Sequence, residues 1–266
     1  PEGIEGPAVG PDGMLYAVSF QRRGTIGKVT PEGECSLFVE LPEGSTGNGI
    51  RFDSNEDMFV ADYTGHNVLK VDMETKKISV HAHEPKMNQP NDVAIASNDI
   101  IFCSDPNWAE GTGNIWRVKT DGTVDLLEAN MGTTNGIEVS PGDKRLYVNE
   151  SVQRNVWAYD LSPEGDVSNK RLLINFPDGG MDGMRCDVDG NLYITRYGKG
   201  EVAKVSPEGE LLRTIPLHGE RPTNIAFGGP NGRTAYVTIQ EKGNIETFKV
   251  KRPGRSWEMR VRSDER

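Results

Sequence analysis

Short runs of alternating apolar and polar residues, broken by Gly, Pro, Asn and Asp, recur along this chain. Before the C-terminal tail no apolar period of 3.6 residues lasts long enough to mark a long helix. The pattern is clearest in "NGIRFDSNEDMFVAD" from Asn48, where a polar residue precedes a few alternating positions, a turn and a second apolar run. "NVLKVDM" and "ISVHAH" follow, so four short strands are predicted before the pattern begins again.

It begins again often enough to fix an architecture. Related stretches are "EGPAVGPDGMLYAVS" from Glu5, "NDVAIASNDIIFCSD" from Asn91, "TTNGIEVSPGDKRLYVNE" around Asn135, "DGMRCDVDGNLYITR" from Asp182 and "TNIAFGGPNGRTAYVTI" from Thr223. The six leading residues are spaced by 43, 43, 44, 47 and 41 positions. Strands "TIGKVT" and "CSLFVE" complete the first unit, and "EVAKVSP" and "LLRTIPL" the fifth; turns such as "TPEGE", "SPEGE" and "KTDGT" carry the Gly that a tight hairpin favours. Four antiparallel strands every 40 to 45 residues predict an all-β, six-bladed β-propeller occupying residues 1–266 as one domain, with a polar tail at 262–266 that frays. Two stacked β-sandwiches would not require equal spacing. The outer strand of the sixth blade is expected from "SWEMRVR", and no N-terminal strand is available to lace the ring, so closure rests on packing between the first and last blades.

Composition agrees and narrows the partners. Apolar residues are 35% while Gly numbers 31 and Pro 16, a balance suited to a turn-rich β fold. The formal charge of −10 argues against nucleic-acid or anionic-membrane surfaces and favours small molecules or cations. Cys35, Cys103 and Cys186 are too few and too widely spaced for a disulfide framework or a CxxC clamp, and are expected as buried thiols. No apolar run approaches the about 18 residues of a membrane span, and no charged-then-apolar leader opens the chain. A cytoplasmic monomer or weak oligomer is expected, although a start at Pro1 leaves room for a trimmed secretory leader.

In a propeller the first strand of each blade lines the channel, so the leading residues form a ring at one mouth: Glu5, Asn48, Asn91, Asn135, Asp182 and Thr223. The second strands return antiparallel and end at the same mouth, giving an outer set of Ser19, Asp62, Asp105, Glu150, Arg196 and Ile239. Carboxylates crowded away from water repel one another by roughly 4 kcal/mol at 4 Å, taking an effective dielectric near 20. A cation relieves this. Glu5, Asn135 and Asp182 suit a hard divalent ion, Ca²⁺ first, with Mg²⁺ or Mn²⁺ as alternatives; the absence of imidazole and thiolate lowers the case for Zn²⁺. The plain alternative is a polar lining that caps strand ends around a water-filled channel.

Four segments carry a resemblance: "IEGPAV" at 4–9, "MNQPNDVAI" at 87–95 with "CSDPNW" at 103–108, "TTNGIEVSP" at 133–141 and "MDGMRCDVDGNLY" at 181–193. With these, the chain resembles the regucalcin, gluconolactonase and luciferin-regenerating-enzyme family of six-bladed propellers. The resemblance implies a divalent-metal site from Glu5, Asn135 and Asp182, with Asn91 as a further ligand or substrate contact. It also implies hydrolysis of a cyclic ester, commonly a sugar lactone, and hence a place in carbohydrate metabolism. Gln89 stands where gluconolactonase-type members often carry arginine, so the particular sugar does not transfer.

For such a hydrolase Asp182 is the expected base, with Asp105 and Glu150 as alternatives, and Asn88, Gln89, Asn91 and Arg196 are the expected substrate contacts. Arg196 could equally pair with Glu150 in the neighbouring blade. Trp108 could wall the pocket or simply pack. The competing functions are a non-enzymatic calcium- or ligand-binding propeller and a phosphotriesterase-like hydrolase. No GxSxG elbow, Walker loop or GxGxxG after a strand is present, and "DVDGN" at 187–191 is read as a tight turn, since Gly198 stands where a calcium loop would need Glu.

Overall fold

The computed structural model describes residues 3–264. Six small antiparallel sheets follow one another along the chain and form a six-bladed β-propeller. The first blade comprises β1 (Ile4–Val9), β2 (Leu15–Ser19), β3 (Thr25–Val29) and β4 (Cys35–Glu40), and the second β5 (Gly47–Phe52), β6 (Met58–Asp62), β7 (Asn67–Val71) and β8 (Ile78–His83). The third has β9 (Val93–Ile95), β10 (Ile101–Asn107), β11 (Thr112–Val118) and β12 (Val124–Met131), and the fourth β13 (Thr134–Val139), β14 (Arg145–Glu150), β15 (Asn155–Leu161) and β16 (Val167–Asn175). The fifth has β17 (Met184–Cys186), β18 (Leu192–Arg196), β19 (Glu201–Val205) and β20 (Leu211–Pro216), while the sixth stops at three, β21 (Pro222–Gly228), β22 (Thr234–Ile239) and β23 (Asn244–Lys249).

Apolar side chains on both faces of each sheet meet those of the next blade, so the core is a series of slabs between blades. One slab sets Tyr16, Val18 and Ile26 of the first blade against Ile50, Met58, Val60 and Leu69 of the second. Another joins Tyr193 and Val202 to Ile225, Phe227 and Val237. Outer strands leave Leu37, Val80, Leu126, Leu172 and Leu211 exposed, because no neighbour covers them. Among the described residues the ring closes without a shared strand: β1 packs on β21, and Thr223 Oγ1 donates to the Ile4 carbonyl at 3.0 Å. Cys103 and Cys186 are buried as expected, whereas Cys35 is exposed at the start of the outer strand β4.

Two sequence expectations fail at the C-terminus. "SWEMRVR" does not form an outer strand; it lies in α1 (Arg255–Asp264), and positions 262–264 of the tail form the end of that helix, while 265–266 fall outside the described residues. Its alternation imitated a strand, but the chain leaving β23 turns back underneath the blades. Gly254 bridges to Asp187, and its N–H donates to Gly232 O at 3.0 Å. A Cβ there would sit 2.3 Å from that of Phe227, so the crossing needs glycine. The chain then delivers α1 to the far mouth of the channel.

Arg255 opens that helix and is buried. Its guanidinium donates to Ile95 O at 3.1 Å and Asp143 at 2.7 Å, and lies 3.6 Å from Glu138. Removing one partner of a buried ion pair costs far more than an exposed pair contributes. Arg255→Leu is expected to lower stability by about 3 kcal/mol, read as an earlier midpoint in urea unfolding; an unchanged midpoint would show that α1 is not anchored through this side chain.

Candidate functional site

The other mouth of the channel is where the repeat concentrates its chemistry. Glu5, Asn48, Asn135 and Thr223 each lie where the pairing of β1, β5, β13 and β21 with the next strand shifts register, between Glu5 and Ala8, Gly47 and Ile50, Thr134 and Ile137, and Pro222 and Asn224. Asn91 and Asp182 precede β9 and β17 altogether. Glu5 still pairs with Val18 at the edge of its break, and the other five leading residues sit outside regular ladder pairing, where a bulge or loop re-aims a side chain at the axis. This accounts for asparagine at positions a regular strand would disfavour. All six line a single cavity of about 410 Å³.

One residue further down, four units carry Gly6, Gly49, Gly136 and Gly183, and two carry Asp92 and Asn224. The glycines make room for the other two: a Cβ on Gly49 would lie 2.4 Å from Asp92 Oδ1, and one on Gly183 only 1.9 Å from Asn224 Cγ. Both polar side chains are fully buried. Two residues deeper the ring reads Ala8, Arg51, Ala94, Glu138, Arg185 and Ala226. Arg51 Nη1 and Arg185 Nη1 hold the Asp92 oxygens at 3.3 and 3.1 Å, and both arginines stand 3.9 Å from Glu138. A column of alternating charge thus runs from the mouth to Arg255.

At the mouth itself the charges are not balanced. Asn224 Nδ2 donates to Glu5 Oε1 at 3.0 Å and approaches Asp92 Oδ2 at 3.4 Å, while Glu5 Oε2, Asn48 Oδ1 and Asn135 Oδ1 are buried without a partner. Burial, with the Asp92 charge adding to it, pushes the Glu5 carboxyl up to about 7 against the pull of hydrogen bonds from Thr223 and Asn224. Burial, then the Glu5 and Asp92 charges, hold Asp182 well above the ordinary carboxylate range, opposed by a hydrogen bond from Asn135. Orphaned oxygens and carboxyls that resist ionisation have the donor chemistry that a hard cation fits. Among the described residues no three His, Cys, Asp or Glu side chains cluster for a metal, so the donors that fit are two carboxylates, Glu5 and Asp182, with amide oxygens of Asn135 and Asn48. Asn91 borders the same cavity, its backbone fixed by Ser104 O at 2.9 Å.

The outer set expected from the second strands goes elsewhere. Asp105 accepts from the N–H groups of Asn88 and Gln89, both at 2.7 Å, from Asn114 Nδ2 at 3.2 Å and from Trp116 Nε1 at 2.9 Å. Glu150 accepts from Gly132 N and Asn155 Nδ2, each at 2.8 Å. Asp62 does the same for Thr46 N and Asn67. These carboxylates tie the loop before a blade to the start of its third strand, and their lone pairs are spent. Arg196 reverses the polarity: it donates to the carbonyls of Gly180 and Asp178, pairs with the Asp178 carboxylate at 3.2 Å and lies 3.7 Å from the Phe176 ring centroid. It makes neither the expected cavity contact nor the alternative pair with Glu150.

The cause is strand alternation: if the last residue points into its blade, the next points to the mouth. Phe20, Tyr63, Ser151, Tyr197 and Gln240, each one position later, line the cavity, as does Trp108. Arg23 and Thr64 from the adjoining turns also border it. Asn88 and Gln89 border a groove beside the cavity, joined to it at Tyr63 and Trp108.

Asn224 was not foreseen as a site residue, although its signal was present: the position after each leading residue is glycine except in two units. Asn224→Leu is expected to weaken Ca²⁺ binding at least about tenfold, the equivalent of one hydrogen bond to a charged group; calorimetric titration returning wild-type affinity would deny that it positions Glu5. The Glu5 shift predicts a pH effect. A carboxyl raised from 4.5 to about 7 stabilises the metal-free fold while protonated, fully below pH 4.5, and that contribution is lost as pH rises through about 7. A cation bound there would take the proton's place, so the rise in melting temperature produced by Ca²⁺ over chelator is expected to be larger at pH 8 than at pH 5.5. Equal rises at both would contradict this.

The sequence profile of the SMP-30/Gluconolactonase/LRE-like region matches residues 5–241. A gluconolactonase from Zymomonas mobilis is 27% identical over 269 residues, covering 88% of this chain and 75% of its own. A diisopropyl-fluorophosphatase from Loligo vulgaris is 26% identical, covering 95% and 90%. Among solved structures, a calcium-binding regucalcin from Agrobacterium tumefaciens superposes with a TM-score of 0.81 at 20% identity over 94% of this chain and 90% of that one, a likeness of fold. The profile spans most of the chain, and the chain belongs to the SMP-30/gluconolactonase/LRE-like family.

Proposed function

We propose that this protein is a divalent-cation-dependent hydrolase that opens sugar lactones at the Glu5–Asn135–Asp182 mouth of the channel. The observation that carries the reading is the set of partnerless buried oxygens, Glu5 Oε2, Asn48 Oδ1 and Asn135 Oδ1, beside two carboxyls in a cavity open to solvent. Lactone-hydrolysing names among the relatives support the reaction class. Ca²⁺ is the favoured ion because the donors are all oxygen and irregularly placed.

When bound, the cation supplies Lewis-acid polarisation of a carbonyl oxygen. Glu5 and Asn135, fixed respectively by Asn224 and by the bulge in β13, would hold it together with one oxygen of Asp182. Asp182 takes a proton from the attacking water as the new C–O bond forms at the carbonyl carbon. The ring C–O bond then breaks, and the proton passes from Asp182 to the departing alkoxide, giving the open hydroxy acid. A carboxyl with raised proton affinity suits both halves of that exchange. Asn91, Ser151 and Gln240 offer hydrogen bonds to hydroxyls, while Phe20, Tyr63, Trp108 and Tyr197 form walls against the flat face of a sugar ring. Asp105 and Glu150 act in the scaffold in this reading, not as bases.

No helix among the described residues is long and apolar enough to cross a membrane. Asp182→Asn is expected to reduce kcat on D-glucono-δ-lactone by about 10²–10⁴, the usual value of a positioned base, and to weaken Ca²⁺ binding as well. Asp105→Asn should instead lower the melting temperature and leave turnover per folded molecule close to wild type. Chelation should abolish activity and Ca²⁺ restore it. Turnover that ignores chelation, or a diisopropyl fluorophosphate rate exceeding every lactone rate, would reject the proposal; Ca²⁺ binding without any hydrolysis would leave a binding protein.

A further inference from the structure

The cavity is larger than one lactone ring requires, and it continues sideways. At Tyr63 and Trp108 it opens into a groove between the second and third blades, bordered by His66, Asn88, Gln89 and Asn107. None of the side chains along this groove is Asp, Glu, Lys or Arg. Trp108 is 40% exposed although it is among the largest apolar side chains of the protein. The loop carrying Asn88 and Gln89 is held by its backbone: both N–H groups donate to the fully buried Asp105 at 2.7 Å. That anchorage costs Gln89 none of its side-chain amide, which remains for a ligand.

We infer that this groove is a second subsite, which takes a neutral hydroxylated ring attached to the lactone held at the channel mouth; the natural substrate is then the lactone of a glycosylated aldonic acid. The inference rests on the lactonase reading. The groove offers neither a guanidinium nor an ammonium with which to select a phosphate or carboxylate. A broad indole face beside three amides matches a pyranose, whose C–H face covers the ring while its hydroxyls meet donors and acceptors on the amides. Tyr63 and Trp108 belong to both compartments, so a glycosidic linkage would pass between them. Gln89 carries more weight here than arginine would: a neutral amide gives and accepts hydrogen bonds, whereas a guanidinium only gives them.

The test compares cellobiono-δ-lactone with D-glucono-δ-lactone on the Ca²⁺-loaded protein. Wild type is expected to show a kcat/KM about tenfold higher for the disaccharide lactone, the equivalent of one good stacking or hydrogen-bonding contact. Trp108→Ala and Gln89→Ala should each shrink that ratio towards one, chiefly through KM. A ratio of one or below in wild type, or a ratio untouched by both variants, overturns the subsite and leaves the lactonase reading standing. If neither lactone is hydrolysed the lactonase reading has failed. The groove is then judged by calorimetric titration with cellobionate: binding to wild type that is lost in Trp108→Ala retains the second-ring subsite, and absence of binding removes it.

Discussion

Like charge gathered on the axis of the propeller is the constraint to which the rest of the molecule answers. Glu5 and Asp92 are buried and Asp182 half-buried around one channel, and two carboxylates at contact distance repel by several kcal/mol even at a generous dielectric. The fold meets this in layers. Asp92 is neutralised from below by Arg51 and Arg185, which keep it ionised despite complete burial. Glu138 and Arg255 continue the alternation to the far mouth, where α1 closes it. Among the described residues no arginine pairs with Glu5 or Asp182. Their compensation is left to amides and to whatever cation the mouth accepts.

That division also separates scaffold from chemistry. Carboxylates at the ends of second strands, Asp62, Asp105 and Glu150, are saturated with backbone N–H groups and asparagine amides and fasten loops to blades. At the irregular starts of first strands, Glu5 Oε2, Asn48 Oδ1 and Asn135 Oδ1 stay unsatisfied. A residue in a β-bulge leaves the backbone ladder, and its side chain is re-aimed so that it can point at a ligand. Six short, stiff sheets hold those bulges in place, which gives a preorganised donor set without any one blade supplying more than one leading residue.

Much of this could be read in the sequence because it repeats. Spacing of the six units predicted the blades, and the leading residue of each predicted the ring that lines the cavity. What escaped did so for identifiable reasons. Counting strand ends from shared apolar pairs selected Asp105, Glu150 and Arg196, one residue before the side chains that alternation turns to the mouth, so Phe20, Tyr63 and Tyr197 were passed over. The run "SWEMRVR" alternates like a strand, but its place is set by Gly254 packing on Phe227 and by Arg255 entering the channel, contacts between residues far apart in the chain. The deeper charges, Arg51, Glu138 and Arg185, repeat three residues after each leading position, among alanines. That period is visible once the blades are aligned. Its meaning is not, because two of the pairs across the axis, Arg185 with Asp92 and Arg51 with Glu138, join blades that are not neighbours in sequence.

The central claim is that the oxygens of Glu5, Asn135 and Asp182 form one cation site that competes with protons. Calorimetric titration of chelator-stripped protein with Ca²⁺ near pH 7, repeated in two buffers of different ionisation enthalpy, addresses it directly. The account predicts one equivalent bound and a buffer-dependent heat that reports proton release. Absence of binding, or binding with identical heats in both buffers, would contradict it.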